Sequence, residues 1–459
     1  MININLSPKG FVKDGLYDQK GALKEAGVRA AVCVAKSRDG KLVTTEDIRR
    51  DNTEANLIRR GLSTISLGHT TPTEQESVGL EIDGISRRLC LILNNEKEYA
   101  ADERSLRYTA VQENEYNTHL EISLYYKWLE IFENIITKDY WDWFRKQTKT
   151  DNGARINITK KAQENARNFL GLATPTTLTY TVPFAQINKI AYLMEKVIQN
   201  PADDFEKNCI PEMQEFIQAL KDKKVLLTKN DIYEMIVNDS ALEAEMVAKG
   251  KNIPYESFKG DDSLYYQDTK GLELSLFAKR NQWSNINNSN EVNLSSISYT
   301  NYQSLACLAQ NQRHRTIALE MTASKENPKF TIPLFLKSYP ALEAEYLADM
   351  AKVIDTYPLG MLVKVNMKAN YANLFNYVAK ERCCMMAQNE IAQMYTFEII
   401  PYIYHQLLDY ASKTDNPLLR EQYLDKANQV SKYVEKYRCS FPDYHCPSPC
   451  RSIVLKREL

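Results

Sequence analysis

The chain has 459 residues, 44% of them hydrophobic and 25% charged, with a formal net charge of −1. That length exceeds one average domain and predicts two or three, each with enough apolar residues for its own core. The balanced charge excludes a protein that coats nucleic acid through a general basic excess, and leaves room for a local basic patch around one phosphorylated small molecule.

Glycine is scarce, at 15 residues against 28 tyrosines. Neither G-x-G-x-x-G nor G-x-x-x-x-G-K-[ST] occurs, so Gly-rich phosphate loops do not organise the chain. The N-terminal MININLSPKGFVKDG has no basic start followed by an apolar run, and no stretch approaches ~18 apolar residues, so no secretory signal and no membrane span are expected. Nine scattered cysteines, with Cys383 and Cys384 adjacent, fit a reduced cytoplasmic chain better than a disulfide scaffold.

In chain order, residues 28–36 form a short β-rich run, 46–65 have helical spacing, and 77–84 alternate with period two as a strand does. Residues 85–108 read as a helix running into a polar loop, 119–146 as a long aromatic amphipathic helix, and 148–160 as a loop. The segments 161–172, 183–200 and 201–224 read as helices. In the second half, 294–302 is strand-like, 303–321 a helix entering a loop, 341–357 a helix, and the stretch from Pro358 to about 411 mainly helical. The second half follows the order of the first, although direct self-similarity of the letters is weak.

Four constellations carry chemistry. Arg313, His314 and Arg315 at a helix end can fan out around a polyanion, and Gln310 lies one turn earlier on the face of Arg313 and His314. A bare triplet of this kind is also what a solvated basic turn looks like. Glu103, Ser105 and Arg107 alternate in DERSLRY, where a hydroxyl and a guanidinium together make a phosphate clamp, or a charged surface loop. Gly68 to Glu74, GHTTPTE, reads as a tight turn bringing His69 near Glu74. Arg382 stands on an otherwise apolar helix upstream of Ala387-Gln388-Asn389-Glu390-Ile391 and needs either a carboxylate or a ligand.

Taken together these segments resemble the flavin-dependent thymidylate synthases. GHTTPTE resembles that family's G-H-x-x-x-x-E, and DERSLRY the end of its signature R-H-R-x(2)-S-x-N-E-x-S-x-R-Y. The place of R-H-R in the first half is taken by Asn95-Glu96-Lys97. In the second half R-H-R is present, but the later Glu, Ser and Arg fall on Met321, Ala323 and Lys325. Phe330-Thr331-Ile332-Pro333 resembles the aromatic-x-I-P of the family, 358–391 its C-terminal helices, and ENARNFLGL the segment carrying a nucleotide-contacting Arg, here Arg167.

The resemblance implies an α+β fold of two tandem, complementarily degenerate copies, 1–225 and 226–459, each a small mostly antiparallel sheet flanked by long helices. The apparent offset is 218 between Asn95 and Arg313 but 187 between Leu172 and Leu359, which puts about 31 extra residues in the first copy, within 110–165. It further implies reductive methylation of dUMP to dTMP, with FAD as cofactor and NADPH and methylenetetrahydrofolate as co-substrates, in a cytoplasmic homodimer that forms a pseudo-tetramer. The expected nucleotide set is Gln310, Arg313, Glu103, Ser105, Arg107, Arg167 and Arg382, with Arg382 and Ser105 closest to the chemistry. The expected flavin set is His69, Glu74, Arg313, His314, Arg315 and Asn370. No cysteine nucleophile is required, so Cys307, Cys383 and Cys384 receive no role. A related dUMP modification such as hydroxymethylation, and a non-catalytic nucleotide- or flavin-binding paralogue, are the alternatives. Cys439, His445, Cys446 and Cys450 form a C-x5-H-C-x3-C tail whose spacing is not that of a standard zinc site, and no metal is expected.

Overall fold

The structure, a computed structural model, describes residues 2–6, 19–35, 42–66, 72, 75–96, 98–227, 297–369, 373–384 and 387–445. The chain divides into two compact units that interleave along the sequence: Met1–Arg104 with Pro175–Leu272, and Ser105–Thr174 with Glu273–Leu459. The sequence boundary at 225/226 concerns ancestry, on which this division does not bear.

In the first unit four antiparallel strands stand in the order β1 (Asn3–Leu6), β2 (Ser77–Ser86), β4 (Pro175–Pro183), β3 (Ala100–Glu103). Alternation decides their faces: Val78, Leu80 and Ile82 of β2 and Leu178, Tyr180 and Val182 of β4 are buried, while Thr177, Thr179 and Thr181 are not. Helices α7 (Phe184–Gln199) and α8 (Asp204–Asp222) close that face, sharing one core with the sheet through residues such as Ile187, Met194, Met213 and Phe216.

Two sequence expectations are corrected here. The β-rich run 28–36 is largely the end of helix α1 (Gln19–Cys33). Its Ala22, Leu23, Ala26, Gly27 and Ala31 line one buried face, and helix packing overrides the β preference of the valines. Contact with α3 (Glu54–Ser66) is backbone-close: a Cβ on Gly27 would lie 1.9 Å from the Leu57 carbonyl oxygen, so no larger residue fits. The helical stretch 46–65 is in fact two helices, α2 (Thr45–Asp51) and α3, with Asn52 between them donating to the Ile48 carbonyl at 2.8 Å.

In the second unit three antiparallel strands stand in the order β5 (Ile297–Ser304), β7 (Leu362–Ala369), β6 (Ala318–Thr322). Strand β7 corrects the start of the stretch from Pro358 to about 411, expected to be mainly helical: Val363, Val365 and Met367 are buried in alternation. The expected loop 148–160 is likewise mostly helix. Lys149 takes a left-handed turn (φ 60°), Thr150 caps the Gly153 amide at 3.1 Å, and α6 runs Asp151–Ala166. Antiparallel to it packs α5 (His119–Thr148), opened by a capping box between Thr118 and Glu121.

The two sheets share one plan. In each, a strand ends at a serine that caps the next helix: Ser86 accepts from the Leu89 amide before α4 (Arg87–Asn95), and Ser304 from the Cys307 amide before α9 (Leu305–Asn311), both at 3.0 Å. The pairs Ser86↔Pro175 and Ala100↔Thr181 recur as Ser304↔Leu362 and Ala318↔Lys368, displaced by 218 residues on the opening strands (86 to 304, 100 to 318) and 187 on the closing ones (175 to 362, 181 to 368). A bulge at Gly84 (φ 74°) shifts the first sheet by one residue before that point. Between β3 and β4 lie two helices, α5 and α6; between β6 and β7 lies one, α10 (Pro340–Lys352).

Candidate functional site

The second unit brings together side chains distant in sequence. Helix α9 ends at Asn311, and a turn carries Arg313, His314 and Arg315 to β6. The turn is tied down from beneath: Tyr395 donates to Asn311 Oδ1 at 2.6 Å, and Asn311 Nδ2 reaches Gln303 Oε1 at 3.3 Å. Across from it a π-helical segment, Asn373–Ala379, continues into Lys380–Arg382. Such irregular turns re-aim side chains at functional sites. Arg382 Nε donates to His314 Nε2 at 2.5 Å, and its Nη2 to the Gln310 carbonyl at 3.5 Å. To accept from a guanidinium, His314 Nε2 must carry a lone pair, so the imidazole is neutral in this contact.

The loop carrying Ser105 and Arg107 belongs to the same unit. Ser105 Oγ accepts from the Arg107 amide at 3.3 Å, which folds the loop back on itself. Both Nε and Nη2 of Arg107 reach Glu164 Oε2, each at 3.1 Å, and Lys161 stands 3.5 Å from the same oxygen. Burial works to raise the pKa of Glu164, but Lys161, Arg107 and Arg167 outweigh it and hold the carboxyl below the usual range. Arg167, 6% exposed, donates through Nε to the Glu164 carbonyl at 3.1 Å and through Nη2 to Gln388 Oε1 at 2.7 Å. That same Gln388 oxygen accepts from Gln310 Nε2. A continuous chain of contacts therefore runs Arg107–Glu164–Arg167–Gln388–Gln310.

Arg382 completes the group. Burial lowers its pKa, Glu381, Tyr395 and Cys307 raise it, and Arg107 lowers it, with a net lowering. The positive charge of Arg107 thus weighs slightly against that of Arg382. In the same unit a cavity of about 220 Å³ is lined by Glu164, Asn168, Thr331, Pro333, Gln388 and Glu390 among others. It is smaller than the roughly 300–1,000 Å³ that encloses a whole drug-sized ligand. The Oδ1 atoms of Asn168 and Asn389 on its wall are buried with no hydrogen-bond partner.

Other expected site residues lie elsewhere or outside the described residues. Glu103 ends β3 in the first unit, where its carboxylate receives Arg87 Nη1 at 2.7 Å. His69, Glu74 and Asn370 lie outside the described residues, as do Cys446 and Cys450 of the C-terminal tail. Among the described residues no group of three or more His, Cys, Asp or Glu could hold a metal ion. Burial pushes the Cys307 thiol well above its ordinary range, which keeps it protonated and poorly nucleophilic. Glu164 and Gln388, at the centre of the network, are not among the site residues that the sequence reading selects. Their signals were positional: Glu164 stands one helical turn before Arg167, and Gln388 belongs to A-Q-x-E-I.

A partly buried serine–glutamate contact anchors both helix starts. Ser86 Oγ donates to Glu212 Oε2 at 2.6 Å, and Arg88 neutralises Glu212 with Nη2 on Oε1 at 2.8 Å. Ser304 Oγ donates to Glu390 Oε2 at 2.5 Å and its amide to Oε1 at 2.7 Å, but Ala306 stands where the register puts Arg88. Burial raises the pKa of Glu390, and the bonds from Ser304 and Thr331 and the charge of Arg167 offset this only in part. The folded state therefore holds this proton more tightly than the unfolded chain, in which glutamate titrates near ~4.3. Its contribution to stability is full below that value and is lost as pH rises through the folded pKa. Glu390→Gln is accordingly expected to gain stability relative to the parent as pH rises from 4 to 8. Urea denaturation at both pH values checks this, and a difference independent of pH would contradict it.

Residues 16–194 match the family model for thymidylate synthase complementing protein. The matched stretch contains Glu103, Ser105, Arg107 and Arg167, and stops before Gln310, the Arg313–Arg315 turn and Arg382. No curated protein matches the chain at a significant level. Among the described residues no helix is long and apolar enough to cross a membrane.

Proposed function

Starting from that family match, we propose that the protein is a flavin-dependent thymidylate synthase that methylates dUMP reductively to dTMP, with methylenetetrahydrofolate and NADPH as co-substrates, in the cytoplasm. The observation that carries this is the meeting of Ser105 and Arg107 with Gln310, His314, Arg167 and Arg382 in one compact unit. Among the described residues, Arg107 and Lys161 meet the Glu164 carboxylate and Arg167 its backbone carbonyl, while Arg382 joins the group through His314 and the Gln310 carbonyl. A phosphate monoester supplies the missing negative charge, and two guanidinium forks suit its oxygens.

The same donor chemistry fits a flavin: Arg313, His314 and Arg315 offer cationic and polarisable groups for its phosphates and carbonyl edge. When bound, the flavin supplies the hydride and one-carbon transfer chemistry. The protein's part is positional and electrostatic. Ser105 and Arg107 hold the nucleotide phosphate. Arg382, oriented by His314 and the Gln310 carbonyl, presents a poorly solvated charge to the uracil edge and stabilises negative charge developing there. Arg167, locked by Gln388, sets the distance between the two.

The fold reading belongs to the same proposal: residues 1–225 and 226–459 descend from one ancestral domain. In favour of it stand the common strand order, the two constant register offsets and the repeated serine–glutamate anchor. Each copy has lost what the other retains, so one chain assembles one site, and a homodimer forms a pseudo-tetramer with two. Absorbance of the purified protein, titrated with dUMP, tests both ideas. The expected result is bound flavin at one per chain with a spectrum that responds to dUMP. A colourless protein that does not bind dUMP would sink the activity, and two equivalent flavins per chain would sink the complementary-site reading.

A further inference from the structure

Glu164 belongs to none of the expected ligand sets, yet it is in contact with Arg107, Lys161 and Arg167. We propose that Glu164 is the positioning residue that makes Arg107 and Arg167 act as one phosphate-binding pair. This rests on the thymidylate synthase reading above.

The argument is electrostatic. Three cations, Arg107, Lys161 and Arg167, occupy a poorly solvated region, and like charges there spread apart unless an anion holds them. Glu164 is 7% exposed, and its Oε2 alone takes two donors from Arg107 as well as the Lys161 ammonium. Its backbone carbonyl takes Arg167 Nε, so side chain and main chain of one residue fix two guanidiniums. With both Arg107 donors converging on a single oxygen, the guanidinium is held at its Nε–Nη2 edge, which leaves the Nη1 side directed elsewhere. Through Arg167 and Gln388 the same anchor reaches Gln310 at the end of α9. A ligand phosphate therefore meets a pair already spaced, and the ordering cost of two long side chains is borne by the fold before binding.

The test uses the full-length protein and dUMP. Glu164→Gln keeps shape and hydrogen-bonding capacity but removes the charge. It is expected to raise the dUMP Kd, measured by calorimetry, and the KM for dUMP by roughly tenfold or more, with kcat changed much less. Glu164→Asp, charged but shorter, is expected to fall between parent and Gln. In an Arg107→Ala background Glu164→Gln should add little further loss, because the residue acts through Arg107. A folded Glu164→Gln protein with parental dUMP affinity overturns the proposal, as does full additivity with Arg107→Ala. If Glu164→Gln does not fold, Glu164→Asp decides: parental affinity there is equally fatal, and weakened affinity at unchanged thermal stability supports it. A parent protein that binds no dUMP would instead refute the functional reading on which this rests.

Discussion

Arg382→Ala is expected to lower kcat/KM for dUMP by about 10²–10³-fold, the usual loss when a preorganised donor to developing charge is removed. Its thermal stability should stay at or slightly above that of the parent. The two halves of this expectation share a cause. Burial costs the guanidinium hydration, and its closest partners are a neutral imidazole and a backbone carbonyl rather than a carboxylate. The charge of Arg107 adds a smaller repulsion. Such a charge is a burden on the empty protein and is relieved when an anion arrives, which is why its removal harms turnover and spares the fold. Arg382→Lys should recover little, since a single ammonium cannot hold the Nε contact to His314 and reach a second acceptor. Steady-state kinetics beside a melting curve would decide. An Arg382→Ala protein that keeps parental turnover would remove Arg382 from the chemistry, and a large fall in melting temperature would make it a structural residue.

Trp128→Ala should cost about 3–5 kcal/mol of unfolding free energy, the range for deleting a buried aromatic. Trp128 is fully buried on α5. It stacks on Phe169 with ring centroids 5.8 Å apart, meets Tyr346 edge to face at 5.2 Å between centroids, and lies tilted against Phe132 at 5.4 Å. Its indole also donates to Asp349 Oδ2 at 2.9 Å. Asp349 is 2% exposed; burial disfavours its charge, and Lys127, Lys352 and the indole together outweigh that and keep it ionised. Alanine removes both the packing and one of these donors. Because Phe169 follows Arg167 by two residues, loosening its stack should weaken dUMP binding as well. Trp128→Phe, which keeps the ring and loses the N–H, should cost about half as much. Guanidinium denaturation measures both, and a loss below about 1 kcal/mol for the alanine variant would contradict the packing account.

The sequence announces some of this and conceals the rest for physical reasons. Helix α5 is legible because its aromatic and aliphatic residues recur at helical spacing over 30 residues. Strand β4 is easily passed over, since TTLTYTVP hides its alternation among threonines, and β7 lies between segments rich in helix formers. Helix α6 begins with Asp-Asn-Gly, letters of a turn, and becomes a helix because Thr150 caps it and α5 covers its inner face. For the site, individual residues such as Arg107, Arg313 and Arg382 can be read from motifs. Their pairing cannot: His314 meets Arg382 across 68 positions and Arg167 meets Gln388 across 221. Such contacts are decided by tertiary packing, on which local letters are silent.

The interleaving of the two units bears on how the chain folds as it is made. Helices α5 and α6 are synthesised long before β5, α10 and β7, yet their core partners, among them Phe335, Tyr346 and Asp349, lie in that later stretch. Until those residues leave the ribosome, Trp128, Phe132 and Phe169 have one another but lack the later half of their packing, Phe335 and Tyr346. A chain halted near residue 225 would therefore display an aromatic surface to solvent. That interval exposes the nascent protein to aggregation and to chaperone capture, and completing the second half ends it.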